Sequence, residues 1–314
     1  MLAAVATQAI YGEALTHLAR NDERVVTIDA DLMRSVGWEA FAHEFPDRAF
    51  QVGVAEQNMV GFATGLALSG KVPFTHTFAV FASRRVCDQL TISVAFNRAN
   101  VKVVAGQAGL TAALNGATHQ SLEDVAIVRA IPNMVIVEPC DALELRQIVP
   151  AIAAYEGPVY LRLPKVLPER LSEDPYQFTL GTVRSLRDGN DITFVTGGIM
   201  ARYALEAAEV LNAEDISALV INASTLKPLD TEAIVAAARK TGAVVTVENH
   251  TINGGLGGAV AELLAETCPT PMVRLGTRDT FGSTGELPWL LQHHELGPSD
   301  IAAAARRVIA MKQR

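Results

Sequence analysis

The side chains able to do chemistry lie close together in the first part of this 314-residue chain. Glu56 follows Phe50, Val52 and Val54, which alternate as in a buried strand. It precedes Met59, Val60, Phe62, Ala63, Leu66 and Ala67, which share one helical face. Glu56 therefore stands at a strand-to-helix junction, in the first turn of a helix that Gly70 ends. A carboxylate there is stabilised by the positive end of the helix dipole, by ~0.3–1 kcal/mol. It also stands at the carboxyl end of a sheet strand, where open α/β sheets place their ligands. Spacing alone leaves both readings open. Phe78 and Phe81, in Thr77-Phe78-Ala79-Val80-Phe81, suit an ordinary core as well as a site. His119 closes a stretch, 106–119, rich in Gly, Ala and Asn. A loop of that length without structure of its own is uncommon and often functional. No Cys/His spacing suggests zinc, and the adjacent His293 and His294 read as surface residues rather than as a metal pair.

These residues need a scaffold. Helices are expected over 7–20, 81–98 and 141–155, and strands over 25–29, 101–105, 135–137 and 159–163. Strands alternating with helices imply a parallel sheet covered on both faces. Ser121 is placed to cap the next helix, with Asp124 three residues on. Gly61 and Gly65 lie four apart and allow close packing against the Glu56 helix. Residues 164–190 hold three prolines and two turn glycines, Gly181 and Gly189, and read as a linker. The alternation then restarts, with strands expected at 192–196, 216–221, 243–247 and 272–275. The expected fold class is α/β, with two domains, 1–172 and 173–314, each a mostly parallel sheet flanked by helices. Gly254-Gly255-Leu256-Gly257-Gly258 follows a strand and opens a helix, yet lacks the spacing and acidic partner of a dinucleotide site. It reads as a turn and helix start, and His250 before it as a structural histidine.

Three motifs, in order, resemble the pyrimidine-binding half of transketolases: Val54-Ala55-Glu56-Gln57-Asn58-Met59, Thr77-Phe78-Ala79-Val80-Phe81 and Gly116-Ala117-Thr118-His119-Gln120. The likeness runs over most of the chain. It implies a thiamine diphosphate enzyme that transfers a two-carbon ketol unit between sugars or sugar phosphates. It implies that Glu56 hydrogen-bonds N1′ of the cofactor's aminopyrimidine, and that Phe78 and Phe81 pack on that ring. Burial against an aromatic ring raises a glutamate's proton affinity, which suits that contact. His119 is implied to handle protons near the reacting carbons, and Asp31 to lie near the cofactor. Arg84 stands where many transketolases carry another aromatic; it is counted with the cofactor residues, its role left open. Ser35 matches a serine that meets the sugar phosphate. Arg162, in Tyr160-Leu161-Arg162-Leu163-Pro164, matches an arginine that contacts that phosphate; a surface charge at a strand end is its other reading. Gln107 and Asn115 stand where many transketolases have a histidine and an aspartate that reads a donor hydroxyl. Neutral variation within ordinary transketolases is one reading of these two changes; the other, taken as the expectation, is a donor or acceptor other than the common pentose-phosphate pair. The second domain is implied to be structural and dimer-forming.

The family holds its diphosphate through a divalent metal, with a Gly-Asp-Gly motif and a distant Asn, and no Gly-Asp-Gly occurs in this chain. The chain is read as the small, C-terminal subunit of a split transketolase. A large partner is expected to hold the diphosphate through Mg2+ (or Ca2+), in an α2β2 heterotetramer with self-association through this chain, and no metal ligand is expected here. Three alternatives remain. The first is a 2-oxo acid dehydrogenase β-subunit, against which Thr118-His119-Gln120 speaks. The second is the C-terminal part of a 1-deoxyxylulose 5-phosphate synthase. The third is a non-catalytic subunit, against which Glu56 and the two phenylalanines speak. A net charge of −8 argues against broad nucleic-acid binding. No apolar run reaches the length of a membrane span. The N-terminus lacks the order of a signal peptide, and three isolated cysteines fit a reducing cytoplasm.

Overall fold

The strands Val25–Asp29, Val72–Phe78 and Lys102–Gly106 are buried along their whole lengths. A strand buried on both faces requires helices above and below its sheet, as parallel sheets provide. A computed structural model describes residues 4–173 and 175–312; the outermost residues of the two expected domains, 1–3 and 313–314, lie outside it. Its first sheet has seven strands, in the spatial order Thr225–Lys227, Val135–Val137, Val159–Arg162, Lys102–Gly106, Val72–Phe78, Val25–Asp29, Ala49–Gln51. The second has five: Met272–Thr277, Val244–Thr251, Ile192–Thr196, Ala218–Asn222, Arg184–Arg187. Both are parallel except at one edge each, where Thr225–Lys227 and Arg184–Arg187 run antiparallel to their neighbours. The protein is thus α/β with two mostly parallel, helix-flanked sheets, as its alternating pattern implies.

Several local expectations change. Residues 164–190 are more than a linker: Val166–Pro168 pairs with Ala4–Ala6, and Arg184–Arg187 edges the second sheet. Thr225–Lys227 lies in the second half of the chain but pairs with Val135–Val137 of the first sheet. These strands span only three or four residues, too few for a period of two to show. The helix expected to begin near Ser121 spans Asp124–Ala130 with Glu123 at its N-cap, and the Ser121 hydroxyl is buried without a partner. The stretch 81–98 is not an ordinary α-helix but two wide-turned, π-type segments, Phe81–Arg85 and Gln89–Ala95. Wide turns of this kind occur frequently at functional sites. The expected structureless loop contains a tight helical stretch, Gly109–Asn115, kinked at Ala113 with φ 46° and ψ −113°.

The helix Glu56–Leu68 buries Met59, Val60, Ala63 and Thr64. Its opposite face carries Gly61 and Gly65, where an added Cβ would meet nothing within 4 Å. Phe62 and Leu68 are exposed, and so are Ile92 and Phe96 of the packed helical segment and its end. The two glycines therefore serve no packing inside this chain. Among the described residues no helix is long and apolar enough to cross a membrane.

Candidate active site

Glu56 is the first residue of its helix, and it is 2% exposed. The turn before it is shaped by Gln51, whose side-chain oxygen accepts from the backbone N–H groups of Gly53 (3.0 Å) and Asp31 (2.9 Å). The Gln51 amide donates to Asp29 Oδ2 at 2.6 Å, and the same oxygen accepts from Leu32 N–H at 2.7 Å. Burial pushes the Asp29 carboxyl above its usual range, and these hydrogen bonds pull against the shift. The buried Asp29 and the exposed Gln51 that it holds thus mould both the Asp31 loop and the approach to Glu56. Asp31 itself is exposed and has φ 63°, a left-handed conformation that aspartate tolerates better than most residues.

Phe78 ends the strand Val72–Phe78, and Phe81 begins the wide turn that follows. Their rings lie 6.3 Å apart and 27° from parallel. His119 stands edge-on to both, at 6.1 and 5.6 Å, and its Nδ1 is hydrogen-bonded to the Thr118 hydroxyl at 3.0 Å. The structure therefore brings Glu56, Phe78, Phe81 and His119 to one end of the first sheet. Arg84 is not with them: it turns to Glu123 at 3.0 Å and lines the cleft toward the second sheet. Its neighbour Arg85 stands beside Glu56 instead. Arg85 Nη1 donates to both oxygens of Glu56, at 2.9 and 3.0 Å, and its guanidinium carbon lies 4.3 Å above the Phe81 ring. Widening a helical turn keeps position i+4 over position i and swings i+3 away, which selects Arg85. A sequence period drawn for an α-helix gives no such signal.

Two sequence profiles match the chain: "Transketolase, pyrimidine binding domain" over residues 3–169 and "Transketolase, C-terminal domain" over residues 181–301. The chain belongs to the transketolase family. It is 49% identical to the 6-deoxy-6-sulfo-D-fructose transketolase subunit SqwH of Clostridium sp. (strain MSTE9), over 96% of this chain and 94% of that protein. It is 37% identical to the 1-deoxy-D-xylulose-5-phosphate synthase of Heliobacterium modesticaldum (strain ATCC 51547 / Ice1), over 95% of this chain but 46% of that protein. A solved structure described as "Split gene transketolase, inactive beta4 tetramer" superposes with a TM-score of 0.91 at 43% identity, covering 98% of this chain and 99% of that one.

In this chain, Gln107 and Asn115 are bonded to each other: Asn115 Nδ2 donates to Gln107 Oε1 at 2.8 Å. Ser35 and Gln107 line one crevice together with Lys165. Arg162 is elsewhere. Its side chain is fully buried, with Nε and Nη2 donating to Asp124 at 2.8 and 3.2 Å and Nη1 to Glu138 at 2.7 Å. Nη2 also reaches the carbonyls of Ser121 (3.3 Å) and Asn249 (2.9 Å). Burial works against its charge, but Asp124 and Glu138 more than offset that and raise its pKa. With its donors committed inside the protein, Arg162 cannot also grip a substrate phosphate. The exposed cation nearby is Lys165, three residues on.

The segment bearing Gln107, Asn115 and His119 is seated on the second domain. Asn249 Oδ1 accepts from Leu110 N–H at 2.8 Å, and Asn249 Nδ2 donates to the Ala108 carbonyl at 3.2 Å. Between them Gly109 has φ 62°, and a Cβ there would lie 2.4 Å from Asn249 Nδ2. Thr251 N–H donates to Leu122 O at 2.7 Å, and the Gln120 amide to Ser283 O at 2.7 Å. His250 is a satisfied structural residue: its Nε2 accepts from Ala126 N–H at 3.3 Å and its Nδ1 donates to Thr251 O at 2.7 Å. Burial lowers its pKa to about 4. The glycine run after it is likewise structural, because Glu248 accepts from Leu256 N–H (2.7 Å) and Gly257 N–H (2.9 Å). The chain's own carboxylate fills the place a nucleotide phosphate would need.

Proposed function

We propose that the chain is one subunit of a thiamine diphosphate-dependent transketolase that moves a two-carbon ketol unit from a ketose to an aldose. The observation that carries this reading is the convergence of Glu56, Phe78, Phe81 and His119 from separate segments onto one end of the sheet. These residues suit an aminopyrimidine ring. Arg85 demonstrates that a planar group can lie over Phe81 while giving its N–H to Glu56. When bound, thiamine diphosphate supplies the nucleophilic carbon that carries the two-carbon unit. Glu56 holds a proton at the ring's N1′ nitrogen, and Phe78 and Phe81 orient the ring by offset stacking. Asp31 flanks the cofactor. His119 moves a proton at the substrate's reacting oxygen. Ser35 and Lys165 bind the terminal anion of the sugar, and Gln107 with Asn115 reads its hydroxyls.

The diphosphate and its Mg2+ (or Ca2+) belong in this reading to a large partner subunit, since the chain has no Gly-Asp-Gly. The near end-to-end match to a protein named as a subunit supports this over the synthase reading, whose relative is covered for less than half its length. The exposed apolar face with Gly61 and Gly65 gives the partner a surface, in an α2β2 assembly that also joins two copies of this chain. Alone, the chain is expected to bind thiamine diphosphate weakly and to turn over no ketose. Calorimetry and a coupled assay after adding the large subunit should recover both; full activity without that subunit overturns the split-enzyme reading.

The bonded Gln107–Asn115 pair sharpens the substrate prediction. It replaces an ionisable pair by two neutral amides, which offer donors and acceptors where a carboxylate only accepts. The preferred ketose is therefore proposed to be acidic or otherwise unlike xylulose 5-phosphate; the relative SqwH is named for a sulfonated ketose. Because the two side chains share a hydrogen bond, they must be exchanged together. Gln107→His with Asn115→Asp is expected to move kcat/KM toward xylulose 5-phosphate, relative to a 6-sulfonated ketose, by about 10-fold, equivalent to about 1.4 kcal/mol. A native preference for xylulose 5-phosphate that the double change leaves unaltered would remove the specificity argument and leave the transketolase reading standing.

A further inference from the structure

We infer that Arg85 is a self-cap on the pyrimidine seat: in the free chain its guanidinium fills the space the cofactor ring needs, and it withdraws when that ring enters. The inference deepens the proposed function and rests on it. Glu56 is 2% exposed, and a carboxylate so buried is costly to leave unpaired. Arg85 satisfies both its oxygens. The carbon of the same guanidinium lies over Phe81, 4.3 Å from the ring centre, a cation–π contact. The group is planar, carries N–H groups in its plane, lies over an aromatic face and donates to Glu56. Those are the four demands that an aminopyrimidine hydrogen-bonded to Glu56 also meets. One face of Phe81 cannot carry two planar groups, so entry of the ring is an exchange and not an addition.

The exchange is available to Arg85 because its side chain is 44% exposed, and Glu56 is its only salt-bridge partner among the described residues. It can return to water at small cost. Arg84, by contrast, is already tied to Glu123 and offers no replacement cap. The cap keeps Glu56 paired in the unassembled chain and sets a competition that cofactor and partner must win together.

Two measurements test this. In the free chain, the side-chain N–H signals of Arg85 are followed by nitrogen NMR in the native protein and in Glu56→Gln, with the two Arg85 variants, Arg85→Ala and Arg85→Gln, assigning them. The cap predicts slowed guanidinium rotation and resolved Nη signals in the native chain that collapse in Glu56→Gln, because Nη1 loses the carboxylate that holds it. A freely rotating Arg85 guanidinium in the native chain means that the contact is absent in solution and overturns the inference, whatever the fate of the functional reading. In the complex with the large subunit, the affinity for thiamine diphosphate with Mg2+ is measured by fluorescence quenching. Removing a competitor worth a half-exposed ion pair should tighten binding about two- to five-fold in both Arg85 variants. Weaker or unchanged binding, with circular dichroism showing folded protein, assigns Arg85 to holding the cofactor or to neither role, and overturns the cap. A native complex that binds no thiamine diphosphate defeats the proposed function itself.

Discussion

Glu56→Ala, in the chain assembled with its large partner, is expected to slow deuterium entry at C2 of bound thiamine diphosphate by roughly 10²-fold or more, the scale of losing one preorganised electrostatic contact. The physical reason is placement. The carboxylate is fixed at a helix start, nearly dry, and within hydrogen-bond reach of a guanidinium that lies over Phe81. Little reorganisation is needed to share a proton with a ring nitrogen there. The fold should survive, because Arg85, the group left behind, is half-exposed and can rehydrate. Circular dichroism and the size of the assembled complex check that survival, and proton exchange near the native rate would take Glu56 out of the mechanism.

Arg162→Met is expected to act on stability first. It leaves Asp124 and Glu138 buried without their cation. Removing one partner of a buried ion pair typically costs about 3–5 kcal/mol, which lowers the thermal midpoint by about 10 °C in a protein of this size. Adding Asp124→Asn and Glu138→Gln should recover part of the loss, since the stranded charges go with them. The contrary outcome is specific. An Arg162→Met protein with an unchanged midpoint and a raised KM only for phosphorylated substrates would mean that the arginine faces the sugar after all.

These two residues show what the sequence made legible and what it did not. Glu56, Phe78, Phe81 and His119 sit in local motifs, and their strand-end or helix-start positions follow from apolar periodicity a few residues long. The strands Val25–Asp29, Val135–Val137 and Ile192–Thr196 were readable for the same reason. Arg162 was not, because a strand arginine has the same neighbours in sequence whether it faces solvent or an aspartate 38 positions away. Arg85 carried no signal in the sequence because the widened turn that aims it depends on packing, not on a repeat. Asn249, which seats the Gln107–His119 segment, lies 139 residues from the backbone N–H it accepts from, beyond the reach of any pattern. In each case the missing information is a tertiary partner.

The short strand Thr225–Lys227 bears on how this protein can be divided. It covers the backbone edge of Val135–Val137, which the first half of the chain does not pair by itself. A bared, apolar edge of that kind recruits strands from other molecules. The Asn249 side chain adds a second crossing, since it replaces water at Leu110 and Ala108. A gene break between the two profile-matched regions would therefore yield one fragment prone to aggregate and a second whose asparagine had nothing to hold. Each half of this chain covers backbone groups of the other, so moving one alone bares what its neighbour had closed.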